Sequence, residues 1–252
     1  MTDVEEIEWW EAEDADEFAS SVAGDIAFII ESALDARGSA VVAFPGGSTP
    51  KPVFEELLDK DIPWKRVSIL PTDDRLVPVS DDLSNVKMLA QYFIPKGARV
   101  LPMAPDLDDY KAAGSAADAR LQDMPWPLDL VWLGMGADGH TASIFPGPDM
   151  DEALNGPKER RACGVMPDPL PKDAPVARVT LTKSAIAEAR TVLVTISGDE
   201  KKKVLEDAIA AGPSSSAPTS SGSYVDRMSV ILSRSVRLGS PSKSRGGSIS
   251  SA

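Results

Sequence analysis

The single histidine of this 252-residue chain, His140, lies in Gly134-Met135-Gly136-Ala137-Asp138-Gly139-His140-Thr141-Ala142-Ser143, directly after the apolar run Leu130-Val131-Trp132-Leu133. Histidine's ordinary pKa lies near neutrality, so an imidazole can take a proton and return it at cellular pH. Glycines accept positive φ without steric cost, so a strand that runs into them can turn sharply and bring backbone N–H groups against a ligand. Asp138, two residues before the histidine, could orient the ring or bind a substrate hydroxyl. A lone histidine is more often a satisfied structural residue than a catalyst. Its place at the end of a strand in an α/β pattern favours catalysis, because ligands of open parallel sheets bind at the strands' carboxyl ends.

Pro45-Gly46-Gly47-Ser48-Thr49-Pro50 follows another apolar run, Ala40-Val41-Val42-Ala43-Phe44, and precedes a helical pattern from Pro52 to Leu58. Amides and hydroxyls of such a turn can point at an anion, and a helix N-terminus adds a favourable dipole. Gly46, Gly47, Ser48 and Thr49 are therefore candidate phosphate contacts. The segment is neither a Walker motif nor a dinucleotide fingerprint, since the spaced glycines and the lysine of those patterns are missing. A Gly-Gly-Ser turn with a Ser/Thr helix cap also occurs without any ligand. Thr72-Asp73-Asp74-Arg75 follows the run that ends at Leu70. These residues could form a polar substrate-binding group, with Arg75 matching phosphate or carboxylate oxygens by paired donors, or a plain surface ion pair. Ser84-Asn85 reads as the cap of the next helix, with a secondary role near the site. Arg178, on an expected strand, and Lys201, just after Gly198, are candidate cations for a phosphate. Lys201-Lys202-Lys203 opens a helix, where positive charge opposes the dipole; a lysine run is usually a solvated face, so only Lys201 is singled out.

The elements that must hold these residues alternate. Between Asp16 and Arg37 the residues Phe18, Val22, Ile26, Ile29, Ile30, Ala33 and Leu34 recur at three- and four-residue spacing before Gly38, which predicts an amphipathic helix. Strands are expected at Ala40–Phe44, Val67–Leu70, Val100–Leu101, Leu128–Leu133, Arg178–Thr182 and Thr191–Ile196. Helices are expected at Pro52–Leu58, Asn85–Phe93, Asp108–Gln122, Lys183–Arg190 and Glu200–Ala211, with Gly114 the weak point of its segment. Thr72–Ser84 reads as a polar loop and Asp149–Asp173, rich in proline and charge, as a long irregular excursion. The alternation implies an α/β fold, Rossmann-like, with a mostly parallel sheet flanked by helices on both faces. Residues 1–211 are expected to be a single α/β domain and 212–223 a Ser/Pro/Gly-rich linker. A last strand is expected within 224–234, at Met228–Ser233, and a disordered tail over 235–252, which lacks the apolar content to pack.

A formal charge of −13 argues against a nucleic-acid surface, which carries a basic patch to meet phosphates. A small phosphorylated substrate needs only a few local cations. One cysteine, Cys163, cannot form an internal disulfide, and no metal-ligand spacing surrounds it. The segment Met1–Glu13 lacks the basic flank and apolar stretch of a secretory signal, and no stretch is long and apolar enough to cross a bilayer. Cytoplasmic residence, no membrane partner, and a monomer or weak homodimer are the expectations. The five tryptophans are scattered without basic interleaving and read as packing residues.

Taken together, Phe44–Pro52, Asp73-Asp74-Arg75-Leu76-Val77-Pro78 with Ser84-Asn85, and Leu133–Pro146 resemble the 6-phosphogluconolactonase family, and Arg178–Thr182 and Gly198-Asp199-Glu200-Lys201 continue the likeness in order. It covers about Phe18 to Ala211, and the histidine motif is its most specific part. The resemblance implies a fold shared with glucosamine-6-phosphate deaminases and ribose-5-phosphate isomerases. It also implies hydrolysis of 6-phospho-D-glucono-1,5-lactone in the pentose phosphate pathway, with a phosphorylated sugar lactone as partner and no metal or organic cofactor. The family's catalytic histidine falls on His140 and its conserved arginine on Arg75. Asp74 stands where the family usually has glutamate, and the Ser-rich end after Gly212 is not family-like. On this reading His140 takes a proton from the attacking water and returns it to the leaving ring oxygen. Backbone donors of the 134–139 loop, Gly136 and Gly139 among them, with Arg75, stabilise the oxyanion. Gly46, Gly47, Ser48 and Thr49 with Arg178 and Lys201 hold the phosphate, Asp73 contacts substrate, and Arg75 could grip phosphate instead. The nearest rival is a sugar-phosphate deaminase or isomerase of the same fold. Deaminases resemble the chain at Asp73, Asp138, His140 and Lys201, but carry an Asn-Glu-Pro segment where Ile144-Phe145-Pro146 stands here. A non-catalytic sugar-phosphate-binding protein is the rival from another class.

Overall fold

The computed structural model describes residues 8–103, 108–211 and 236–241. In chain order these residues form β1 (Glu8–Ala12), α1 (Ala15–Arg37), β2 (Ala40–Phe44), α2 (Lys51–Leu58), β3 (Val67–Pro71), β4 (Asp73–Arg75), α3 (Asn85–Phe93), β5 (Arg99–Val100) and α4 (Tyr110–Gln122). There follow β6 (Leu130–Gly134), α5 (Met150–Asn155), β7 (Ala162–Val165), β8 (Arg178–Leu181), α6 (Lys183–Glu188), β9 (Val192–Thr195), α7 (Asp199–Ala211) and β10 (Val236–Pro241).

Seven strands make one sheet in the order β1-β10-β9-β6-β2-β3-β5, and every pairing in it is parallel. From β2 the chain builds outward through β3 to β5, then returns to the other side of β2 with β6. The strand order thus reverses between β2 and β6, and the loops leaving their carboxyl ends open a crevice between them. Asp129, buried just before β6, fastens this junction. Its Oδ2 accepts from Val41 N at 2.8 Å, its own N–H donates to Val41 O at 2.8 Å, and its Oδ1 accepts from Arg37 Nη2 at 2.6 Å.

The continuous apolar runs of the central strands follow from burial on both faces. Val42, Phe44, Leu130, Trp132 and Leu193 point to one side, where they pack with Ile26 and Ile30 of α1, Phe54 of α2 and Phe93 of α3. Val41, Ala43, Val131, Leu133, Val192 and Val194 point to the other, against Ala113, Ala117 and Leu121 of α4 and Ile186 of α6. Each of these large side chains contributes about 1.5–3 kcal/mol on burial. The side-chain period of two fixes which residues serve which layer.

Four segments differ from the sequence expectation. The polar loop 72–84 contains β4, and the excursion 149–173 contains α5 and β7. These pieces are too short to show periodicity; β4 and β7 exist because both pair with β8, in a three-stranded antiparallel sheet of order β4-β8-β7. β1 was not expected, and part of the supposed tail is β10, whose backbone is paired in register with β1 on one side and β9 on the other. Gly239, Ser240 and Pro241 dilute its apolar pattern, so only long-range pairing reveals it. The expected linker 212–223 and the strand expected at Met228–Ser233 lie outside the described residues.

Gly114 belongs to α4 for a packing reason. A Cβ there would collide with the backbone nitrogen of Gly164 on β7, and one at Gly164 would collide with the carbonyl of Tyr110. Helix propensity alone predicts that Gly114→Ala stabilises the protein by about 1 kcal/mol. The contact predicts the reverse, a loss of about 1–3 kcal/mol from overpacking, measurable by urea unfolding.

Candidate active site

The crevice between β2 and β6 is a cleft of about 220 Å3 whose walls include Gly46, Gly47, Asp73, Arg75, Gly136, His140 and Arg178. Seven residues singled out from sequence therefore meet in one place. Thr49 and Lys201 line an adjoining recess of about 90 Å3 that shares Pro45, Gly46, Gly134 and Met135 with the cleft. Lys201 Nζ donates to Met135 O at 2.7 Å. Ser48 is exposed and lines neither cavity.

His140 is held by its own loop. Its Nδ1 lies 2.6 Å from Asp138 Oδ1, so Nδ1–H donates to the carboxylate and Nε2 keeps the lone pair. A Cβ at Gly136 would collide with the imidazole and with the Asp138 carboxylate, so only glycine lets the loop close on the ring. This corrects one expectation. Gly136 N–H donates to His140 O at 2.9 Å and Gly139 N–H to Gly136 O at 3.0 Å, so both amides are spent inside the turn and are not oxyanion donors. The two glycines supply room and, at Gly139, a left-handed φ of 84°. Ala142, on the cleft wall, also has a positive φ, 48°, a strained backbone for a residue with a Cβ.

The second sheet brings the cations. Arg75 on β4 and Arg178 on β8 are direct cross-strand partners, an arrangement that costs free energy for like charges unless an anion joins them. Arg178 is only 5% exposed, and burial lowers its pKa, with Arg75 adding to the effect and Asp73 opposing it. Nε of Arg75 and Nε of Arg178 are both buried without a hydrogen-bond partner. Asp73 accepts from Ser143 Oγ at 2.5 Å and from Thr72 Oγ1 at 3.1 Å, and Arg178 Nη1 reaches Ser143 Oγ at 3.4 Å. Sequence reasoning missed Ser143 as the link between the histidine loop and both charges. It also underrated Asn85, whose Oδ1 accepts from Arg75 Nη1 at 2.8 Å while its Nδ2 donates to Asp73 O at 2.7 Å. Asn85 explains Gly46 as well, since a Cβ there would overlap the Asn85 amide.

α2 begins without a side-chain cap, whereas Asp14, Ser84, Asp109 and Thr182 cap α1, α3, α4 and α6. Ser48 and Thr49 are thus not doing the ordinary capping work their types allow; α5 also lacks a side-chain cap, and at the start of α2 the Lys51 N–H donates to Ser48 O at 3.3 Å while Pro52 carries no N–H. Cys163 is no nucleophile here, because burial pushes its thiol up to about 12.

The family model for glucosamine-6-phosphate isomerases/6-phosphogluconolactonase matches residues 13–226. The chain is 36% identical over 211 residues to the 6-phosphogluconolactonase of Mesorhizobium japonicum, covering 81% of this chain and 86% of that protein. It is 37% identical over 207 residues to that of Neisseria meningitidis, covering 79% and 87%. Its fold superposes on the crystal structure of a 6-phosphogluconolactonase from Shewanella baltica with a TM-score of 0.81 at 26% identity, covering 95% of this chain and 99% of that one. The chain belongs to the glucosamine-6-phosphate isomerase/6-phosphogluconolactonase family.

Asp74 has a structural task. Its Oδ1 accepts from Asn85 N at 2.7 Å and Arg75 N at 3.0 Å, and its Oδ2 from Val86 N at 3.3 Å, so it anchors the start of α3 beside the cleft. Burial nevertheless pushes its carboxyl up to about 6; the Asn85, Val86 and Arg75 amides pull the other way, and Asp73 adds to the rise. The folded chain therefore binds this proton more tightly than the unfolded chain. That contribution to stability is whole below about pH 3.8 and is lost as pH rises through about 6, about 3 kcal/mol in all. Urea unfolding over this window should show the wild type losing stability relative to Asp74→Asn. Parallel curves for the two proteins would contradict the assignment.

Proposed function

We propose that this chain hydrolyses 6-phospho-D-glucono-1,5-lactone to 6-phosphogluconate in the pentose phosphate pathway. The observation that carries the reading is a carboxylate-braced imidazole lining the same cleft as an uncapped glycine turn and two neighbouring arginines. A lactone with a phosphate at its far end needs that combination, a base at one end and an anion clamp at the other.

His140 Nε2 takes a proton from water as the water oxygen attacks C1. The carbonyl becomes a tetrahedral oxyanion, stabilised by the guanidinium groups of Arg75 and Arg178, both of which line the cleft. On collapse the C1–O5 bond breaks, and the imidazolium returns its proton to O5. One water is consumed, and the product is a carboxylic acid that ionises. Asp138 keeps Nε2 directed at the reacting carbon and stabilises the transient imidazolium. Gly46, Gly47 and Thr49 at the α2 N-terminus, with Lys201 from the adjoining recess, hold the phosphate, and Arg178 serves both ends of the cleft. The clamp supplies positive charge locally within a chain of net charge −13.

The partner of His140 is the aspartate two residues before it. Ile144-Phe145-Pro146 offers no glutamate to support deamination, which favours the lactonase over the deaminase. Cytoplasmic residence is supported by a single buried cysteine with no disulfide partner, and no described helix is long and apolar enough to cross a membrane.

Because these lactones also hydrolyse spontaneously, rates are read above the uncatalysed background at mildly acidic pH. His140→Ala should lower kcat by about 10²–10⁴ while 6-phosphogluconate still binds. Undiminished hydrolysis would remove His140 as the base. Lys201→Ala should raise KM about tenfold or more with little change in kcat, since it removes binding shared by ground and transition states. A pure loss of turnover would place Lys201 elsewhere in the reaction.

A further inference from the structure

We infer that Phe145 is a positioning residue for the reaction: its ring fixes the plane of the His140 imidazole and joins that imidazole to Arg178. The inference rests on the reading of His140 as the base. The two rings are stacked, with centroids 4.0 Å apart and planes inclined by 32°, and the Arg178 guanidinium carbon lies 4.8 Å from the same Phe145 centroid.

The Asp138 bond alone cannot hold the base. A single hydrogen bond in the ring plane sets the direction of Nδ1 but leaves the imidazole free to pivot about the bond. The pair is also open to water, with side-chain exposures of 26% for His140 and 46% for Asp138, so solvent competes for the carboxylate. An aromatic face against the imidazole face removes the pivot, and water does not compete with stacking. Phe145 can do this because its own backbone is fixed: its N–H donates to Ser143 O at 3.0 Å, and Ser143 is tied through its hydroxyl to Asp73. The ring serves a second purpose when the imidazole takes a proton. The new cation then lies against a ring that the Arg178 guanidinium also contacts, and the ring quadrupole is attractive to both. The base and the arginine that stabilises the oxyanion are thereby carried on one scaffold.

Phe145→Leu keeps an apolar side chain and removes the ring; Phe145→Tyr keeps the ring. Misplacing a catalytic group predicts that Phe145→Leu lowers kcat about ten- to hundredfold, with KM for the lactone changed by no more than about twofold, while Phe145→Tyr stays near wild type. His140 is the only histidine in the chain, so its ring protons can be followed by NMR without assignment by mutation. They should lose an upfield ring-current shift in Phe145→Leu and keep it in Phe145→Tyr. A folded Phe145→Leu with wild-type kcat, or with unmoved His140 resonances, would overturn the inference, as would equal losses in the Leu and Tyr variants. Should His140→Ala itself remain active, the reading of the base fails, yet the ring-current shift would still report the stacking, so the two failures are distinguishable.

Discussion

The site depends on one strand having neighbours on both sides that come from different parts of the chain. β2 is hydrogen-bonded to β3 and to β6, so the turn at Gly46-Gly47 and the loop carrying His140 leave adjacent strands in the same direction. Asp129 makes this pairing a fixed one, joining the backbone at Val41 to the entry of β6 and to Arg37 at the end of α1. A buried carboxylate with several donors is stable only when all of them are present, so this junction has one geometry. The distance between an anion clamp and a base is then set by the spacing of two paired strands, which is among the least deformable lengths in a protein.

Around that junction the polar residues form a braced scaffold. Asp73, Asp74, Asn85 and Ser143 each accept or donate to a residue on another element, and together they hold Arg75 and Arg178 side by side. Keeping two guanidinium groups close, with one of them buried, costs stability that an anionic ligand offsets. The same arithmetic explains how a strongly acidic chain can take an anionic substrate. Net charge acts over distances that salt screens, whereas the arginines act at contact. The glycines at 46 and 136 belong to this scaffold through the space they leave, since a Cβ at either would displace Asn85 or the imidazole.

Much of the layout was legible in the sequence, and the parts that were not share a cause. The helix at 15–37 and the strand at 40–44 announce themselves by periodicity and continuous apolarity, because each buries a long regular face. The histidine and glycine turns were legible because their residue types are costly to keep without a use. By contrast β4 has three residues and reads as polar loop, and its strand character comes entirely from β8, more than a hundred residues away. β10 is likewise defined by partners rather than by its own pattern. The amides of Gly136 and Gly139 show the other limit: sequence indicates that a loop can present donors, but only coordinates reveal that the loop uses them itself. Ser143 and Phe145 act on neighbours distant in sequence or orientation, and nothing in their own spacing marks them, while Asn85 reads from sequence as part of a helix cap with only a secondary role near the site.

The account comes down to an imidazole nitrogen facing the carbon of an ester while the far phosphate rests against the β2–α2 turn. A crystal structure of the protein with 6-phosphogluconate tests this most directly. The account predicts the C1 carboxylate within about 3.2 Å of His140 Nε2 and the phosphate at Gly46, Gly47 and Lys201. A product bound with its carboxylate away from His140, or with its phosphate beside the imidazole, would contradict it.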